Sequence, residues 1–212
     1  MPTDNGKFIT LEGCEGSGKS TQLQLLKEYF NEHGVDAVFT REPGGTEISE
    51  NIRNIILSGK NTEMSDETEA LLFAAARAQH VKQKILPAKA DGKIVVCDRY
   101  LHSSLAYQAY ARGLGYKFVS EINAYAIENC LPDVALFLDI SPERAFERKG
   151  GADADDRMEQ SGIAFHRRVY DGYLALEDKF RNCFVKINAD ADVESVFNQI
   201  ITTLKSRGII KL

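Results

Sequence analysis

The chain has 212 residues, 43% hydrophobic and 27% charged, with a formal net charge of -5. That length and balance suit one globular domain with ample core, and the negative charge argues against a surface for a nucleic-acid polymer. Nothing approaches the roughly 20 apolar residues of a membrane span, Met1 to Lys7 is too polar for a signal peptide, and Cys14, Cys97, Cys130 and Cys183 lack zinc-site or C-x-x-C spacing, so the expectation is a cytoplasmic protein with reduced thiols.

Five short apolar runs alternate with helical patterns. Phe8–Glu12 reads as the first strand, and Ser20 to His33 as a helix with Leu23, Leu25, Leu26, Tyr29 and Phe30 on its apolar face. Val35–Thr40 is the second strand, followed by a helix over Glu47 to Leu57 and a longer one over Asp66 to Lys89, with Pro87 near its end. Lys93–Asp98 is the third strand, then a helix start with serine caps at Ser103 and Ser104, and a helix over Lys117 to Asn129. Val134–Ile140 is the fourth strand and Cys183–Asn188 the fifth, with helices starting near Pro142 and Ile163 between them. Asp192 to Ser206 carries the clearest amphipathic pattern, in Val193, Val196, Phe197, Ile200, Ile201 and Leu204. Strands of this kind fit a parallel sheet buried on both faces, with Cys97 and Cys183 packed in the core. Lys149 to Asp156, with paired glycines and alternating acids, is a mobile flap or a plain surface loop.

Gly13-Cys14-Glu15-Gly16-Ser17-Gly18-Lys19-Ser20 matches G-x-x-x-x-G-K-[ST], the phosphate-binding loop, in its required place between a strand and a helix. Glycines let backbone N–H groups wrap phosphates, Lys19 adds a charge for the β- and γ-phosphates, and the Ser20 hydroxyl suits Mg²⁺. Gly13 through Ser20 and Thr21 are therefore the expected ATP-binding residues, in an α/β fold of the P-loop NTPase kind: three layers, a five-stranded parallel sheet, helices on both faces. Glu15 is unusual, since a carboxylate among phosphates costs electrostatic energy unless a cation meets it.

In such sheets ligands bind outside the carboxyl ends of the strands. Arg41, Arg53, Arg77 and Arg99 are candidates for anion contacts there, because a guanidinium holds phosphate with two parallel bonds; Arg99 stands out by following a buried strand directly. Asp98 is a magnesium ligand or a strand-end cap. Phe73 and Arg77 are four apart on one helix face, a spacing that by itself favours a core phenylalanine and a surface arginine over a pair holding a flat base. His33, His80, His102 and His166 show no ligand spacing and no obvious partner.

With these motifs together, the chain resembles bacterial thymidylate kinase over nearly its whole length. The matching pieces are the phosphate loop with Glu15, Arg41-Glu42-Pro43-Gly44-Gly45, Leu72-Phe73-Ala74-Ala75-Ala76-Arg77, Asp98-Arg99-Tyr100, Ser103 to Gln108, Leu131-Pro132-Asp133 and Asn188-Ala189-Asp190. The resemblance implies transfer of the ATP γ-phosphoryl group to dTMP with Mg²⁺, by a homodimer joined through the helical face around the Asp66 helix. It implies that Phe73 stacks on thymine, Arg77 bonds a base carbonyl, Ser104 and Gln108 lie near the thymine edge, and Tyr107 crowds the sugar 2′ position. Arg99 and Arg53 match monophosphate binders, Glu42 and Asp98 match residues near the metal and acceptor phosphate, and Pro43 and Ser103 complete the dTMP set. The segment Asn188 to Ala191 lies near adenine in that family.

An acidic phosphate-loop residue marks the kind of family member that supplies its catalytic cations from a lid, here about residues 148–160 of a single domain spanning 1–212. Arg157 is the favoured cation, then Arg148, then Lys149, alongside Lys19, Arg99 and Glu15 as catalytic residues. The rivals are another acceptor on the same fold, such as dUMP or a deoxynucleoside, and a hydrolysing nucleotide switch, for which no clear switch motif is present.

Overall fold

The computed structural model describes residues 6–150, 157–158 and 161–211. Five parallel strands, β1 (Lys7–Glu12), β2 (Ala37–Arg41), β3 (Ile94–Asp98), β4 (Val134–Asp139) and β5 (Phe184–Asn188), form one sheet in the order β2-β3-β1-β4-β5. The register pairs Arg41 with Asp98, Leu11 with Asp98 and Glu12 with Phe137, so the carboxyl ends of β1, β2 and β3 finish side by side.

Alternation along the strands divides the core in two. Phe8, Val95, Cys97, Ala135 and Phe137 face one helical layer; Ile9, Leu11, Val96, Val134 and Leu136 face the other. The second layer contains α1 (Lys19–Glu32), α8 (Pro142–Lys149) and α10 (Val193–Ser206), contributing Leu26, Phe30, Ala145, Ile200 and Leu204. The first contains α4 (Leu86–Ala90), α5 (Leu101–Ser104), α6 (Tyr116–Ile122), α7 (Ala124–Asn129) and α9 (Ile163–Leu176), with α3 (Asp66–His80) packed against α6 and α7. The helix α2 (Glu47–Leu57) packs along α3. The expected three-layer architecture is the one observed. The edge strand β2 departs from burial on both faces: its residues are half-buried or exposed, because it has a strand on one side only.

Three helices differ from their sequence pattern. The stretch expected as one helix over Asp66 to Lys89 is α3, a π-helical turn at Val81–Ile85, and α4. Pro87 sits in the first turn of α4, where its ring excludes a regular bond to the preceding turn, and the wider π turn absorbs the mismatch. The stretch Lys117 to Asn129 breaks into α6 and α7 at Asn123, whose side-chain Nδ2 donates to Val119 O at 2.8 Å and competes with the helical backbone. Ser103 and Ser104 lie inside α5 and cap nothing; α5 runs on into a second π-helical segment, Leu105–Ala111. Cys97 is buried as expected, whereas Cys183 lies just before β5 and is only partly covered.

Candidate active site

The carboxyl ends of β1, β2 and β3 open into a cavity of about 930 Å³. One wall is the phosphate loop. Gly13, Gly16 and Gly18 have φ of 145°, 75° and 94°. At Gly16 a Cβ would stand 2.2 Å from the Ala145 carbonyl oxygen, so any side chain would push the loop off α8. Gly18 caps α1 without a side-chain acceptor, leaving the first N–H groups of that helix for an anion. Lys19 is buried, and its Nζ donates to Gly13 O at 3.1 Å and Cys14 O at 2.9 Å. Burial, then the neighbouring Arg99 guanidinium, lowers the Lys19 pKa, a cost that a bound polyphosphate relieves.

Glu15 and Ser17 to Gln22 line this wall, including Ser20 and Thr21. Asp98 lines the same cavity, and its buried Oδ1 has no hydrogen-bond partner among the described residues. A hydroxyl and an unengaged carboxylate oxygen are a donor set that fits Mg²⁺, which takes few protein ligands and keeps its waters.

The cation that meets Glu15 is Arg99. Its guanidinium contacts the Glu15 carboxylate directly, and also donates to Gly13 O at 2.8 Å, Tyr173 Oη at 3.3 Å and Ser103 Oγ at 3.4 Å. Arg99 has φ of 65°, a left-handed conformation sparsely used by residues other than glycine, and its backbone N–H is tied to Leu11 O at 2.9 Å. Burial would raise the Glu15 pKa, but Arg99, Lys19 and Lys149 outweigh it and hold the carboxyl at about 2.

The other wall is built on α3 and the α5 region. Arg77 is 2% exposed and Phe73 is half-buried on the cavity, the reverse of a core ring beside a surface cation. Arg77 donates to Glu42 Oε2 at 2.7 Å, Ser104 Oγ at 3.0 Å, Asn123 Oδ1 at 2.6 Å and Tyr100 O at 3.0 Å. A guanidinium has five N–H groups, so one on Nη2 stays uncommitted among the described residues, at the cavity wall. Glu42 reaches the cavity, but both its oxygens are engaged, the second by His80 Nδ1 at 2.9 Å; His80 also meets Thr40 at 2.8 Å, so this histidine does have partners. The Glu42–Pro43 peptide is cis, and Arg53 donates to Pro43 O at 2.9 Å. Ser103 donates to Glu12 Oε2 at 2.6 Å. Tyr107 has a buried hydroxyl without a partner among the described residues, its ring 5.2 Å from the Arg99 guanidinium carbon. Arg41 stays at the exposed margin, paired with Glu50 at 3.0 Å.

The lid candidates separate. Arg148 and Lys149 line the cavity, Arg148 donating to Ala189 O at 2.6 Å and pairing with Asp190 at 3.3 Å. Arg157 is turned to α2 and α3: Nη2 meets Glu69 Oε2 at 2.6 Å, Nε meets Ile56 O at 3.1 Å, and its backbone N–H meets Leu57 O at 3.1 Å. The rest of the expected flap, residues 151–156 and 159–160, lies outside the described residues. Ala189 and Ala191, from the segment expected near adenine, line the cavity together with Asp192 and Val193.

Sequence reasoning missed Glu12, Glu69, Asn123 and Tyr173 as site supports. Glu69, Phe73 and Arg77 recur every four residues along α3, a same-face spacing that was available in the sequence. Glu12, a carboxylate ending an apolar strand, was likewise a signal, because such a group is buried only where it is bonded.

A phosphate loop facing an arginine- and aromatic-lined pocket across one continuous cavity defines a P-loop protein whose site extends well beyond the phosphate loop. The family model described as Thymidylate kinase matches residues 11–200, and the chain belongs to the thymidylate kinase family. It is similar to the thymidylate kinase of Finegoldia magna, at 49% identity over 96% of this chain and 100% of that protein. It is also similar to those of Clostridium novyi, at 45% over 95% and 100%, and Bacillus cytotoxicus, at 46% over 95% and 98%.

Proposed function

We propose that this chain transfers the γ-phosphoryl group of ATP to dTMP, giving ADP and dTDP for dTTP synthesis. The observation that carries the reading is the single cavity joining Lys19 and the α1 N-terminus to Arg99, Phe73 and Arg77. ATP phosphates occupy Gly13 to Thr21, with adenine toward Ala191 and Val193; thymine lies on Phe73, with a carbonyl on the free Arg77 N–H. Ser104 and Gln108 lie at its edge, and Tyr107 stands beside the sugar. Arg53 and Arg99 hold the acceptor phosphate, flanked by Pro43 and Ser103.

The acceptor is a phosphate oxygen, ionised at neutral pH, so the site needs alignment and positive charge more than a general base. Lys19 and Arg99 supply that charge, and Glu15 aims Arg99. Arg148 and Lys149, on the cavity wall, are the better-placed cations of the lid, about residues 148–160. Ser20 and Asp98 would hold Mg²⁺, which when bound neutralises phosphate charge. Glu42 acts through Arg77 and His80, its oxygens being taken by them.

The reading extends to the whole chain, 1–212, as one catalytic domain in the cytoplasm. Among the described residues no helix is long and apolar enough to cross a membrane. Ile48, Ile55 and Leu71, each about half exposed on α2 and α3, support a homodimer through that face. A coupled assay of ADP release with dTMP, dUMP and ribothymidine monophosphate tests the activity. Release dependent on dTMP and weaker with the other two is expected; absence of dTMP-dependent release overturns the reading.

A further inference from the structure

Glu69 is fully buried in α3, one turn before Phe73, and the mechanism above does not use it. Its two oxygens are shared among three side chains. Oε1 accepts from Gln108 Nε2 at 2.9 Å and Arg112 Nε at 3.3 Å; Oε2 accepts from Arg112 Nη2 at 3.0 Å and Arg157 Nη2 at 2.6 Å. Arg112 also reaches Asp66 at 3.3 Å and lies 4.5 Å from the centre of the Phe165 ring.

A carboxylate facing two guanidiniums is an acceptor only, so the Gln108 amide has one orientation there: NH₂ to Glu69 and carbonyl oxygen the other way. Gln108 lines the cavity, and its Oε1 takes no hydrogen bond among the described residues. We propose that Glu69 is a specificity-positioning residue, which turns Gln108 so that a carbonyl oxygen faces the base and selects a ring bearing an N–H donor at N3. The same carboxylate anchors Arg157, and so fastens the chain at Arg157, near the end of the expected lid, to the helix that carries Phe73. This rests on the acceptor pocket proposed above.

Replacing one oxygen with NH₂ reverses the pattern. In Glu69→Gln the Nη2 groups of Arg112 and Arg157 hold the new carbonyl oxygen, its NH₂ is left facing Gln108 with loss of the 3.3 Å bond from Arg112 Nε, and the Gln108 amide turns over to offer Nε2 to the cavity. The base then favoured has a lone pair at N3.

The test is kcat/KM for dTMP against 5-methyl-2′-deoxycytidine monophosphate, which has that lone pair, in wild type and Glu69→Gln, with folding followed by circular dichroism. Any mismatch between the cytosine amino group and Arg77 is common to both proteins and cancels in the comparison. The preference for dTMP is expected to fall by ~10-fold or more in the variant, the scale of one buried hydrogen bond reversed. Equal losses on both acceptors, with the ratio unchanged, would mean that Glu69 is only structural and overturn the proposal. Should Glu69→Gln not fold, Gln108→Leu decides: without the amide that Glu69 turns, the preference for dTMP over 5-methyl-2′-deoxycytidine monophosphate should fall by ~10-fold or more, and an unchanged ratio overturns the proposal. Wild type that does not phosphorylate dTMP at all would instead remove the functional reading beneath it.

Discussion

The Glu15 carboxylate, at the third position of the phosphate loop, is held by the Arg99 guanidinium from the end of β3. The contact joins the two halves of the cavity, because Arg99 also touches Gly13 O and approaches the Tyr107 ring. It gives the unusual acid a role without any phosphate bound: it fixes the direction of a cation whose own backbone is in the left-handed region.

The pair gives an acid-sensitivity prediction. The Glu15 pKa is about 2 in the folded chain against an ordinary 4.5, so the group binds its proton more readily when unfolded. Its contribution to stability is complete above pH 4.5 and is lost as pH falls from there through 2. Allowing for partial solvent screening, that contribution is on the order of 2 kcal/mol. Urea denaturation at steps of pH should show wild type losing stability through this window faster than Glu15→Gln; parallel curves would refute it.

Arg99→Lys keeps the charge but not the fork that spans Glu15 and Gly13 O and is proposed to hold the acceptor phosphate. Steady-state kinetics should show kcat down by ~10²-fold or more, with the KM for ATP changed much less, since transition-state charge rather than nucleotide binding is affected. Turnover within ~3-fold of wild type would mean that Arg99 does not touch the transferring group.

Arg148 and Arg157 make opposite predictions. Arg148 faces the cavity and Arg157 is fastened to Glu69, Ile56 and Leu57. Arg148→Ala should lower kcat by ~10-fold or more. Arg157→Ala should leave kcat within ~3-fold while raising the KM for dTMP and lowering thermal stability, because a buried carboxylate loses one of its two guanidiniums. A ~10²-fold loss of kcat in Arg157→Ala with dTMP affinity unchanged would return Arg157 to the role of catalytic cation.

The five strands, the phosphate loop and the crevice were legible in the sequence because each depends on local pattern. Phe8–Glu12 is apolar, Gly13 to Ser20 has fixed spacing, and a crossover helix follows. What the pattern could not give was partnership across the fold. Arg77 lies 35 residues from Glu42 and 46 from Asn123, and only the packing of α3 against the β2 loop and α6 shows that it is buried. The surroundings of Arg157 were hidden for the same reason: it sits in a motif of the expected lid, and Glu69, 88 residues earlier, is the partner that holds its side chain in this structure. Helix breaks at Asn123 and before Pro87 arise from one side-chain bond and one ring, effects of single residues that a periodic pattern averages away.

The Arg77–Glu42 pair should behave as a buried ion pair whose halves are worth more together than apart. Both side chains are 2% exposed, and Glu42 is further bonded to His80. Arg77→Met leaves the Glu42 carboxylate facing His80 alone, strands Asn123 and Ser104, and should cost about 3 kcal/mol or more in urea denaturation. Adding Glu42→Leu removes the stranded charge, so the double variant should be more stable than Arg77→Met by ~1 kcal/mol or more, although it removes a second native residue. Neither variant is expected to phosphorylate dTMP efficiently, since the Arg77 N–H proposed to meet the base is gone. Recovered stability without recovered activity would separate the two jobs of Arg77, holding α3 to the β2 loop and presenting one N–H to the ligand. If the double variant is the less stable of the two, the pair is not charge-coupled and the buried network is held by its neutral hydrogen bonds.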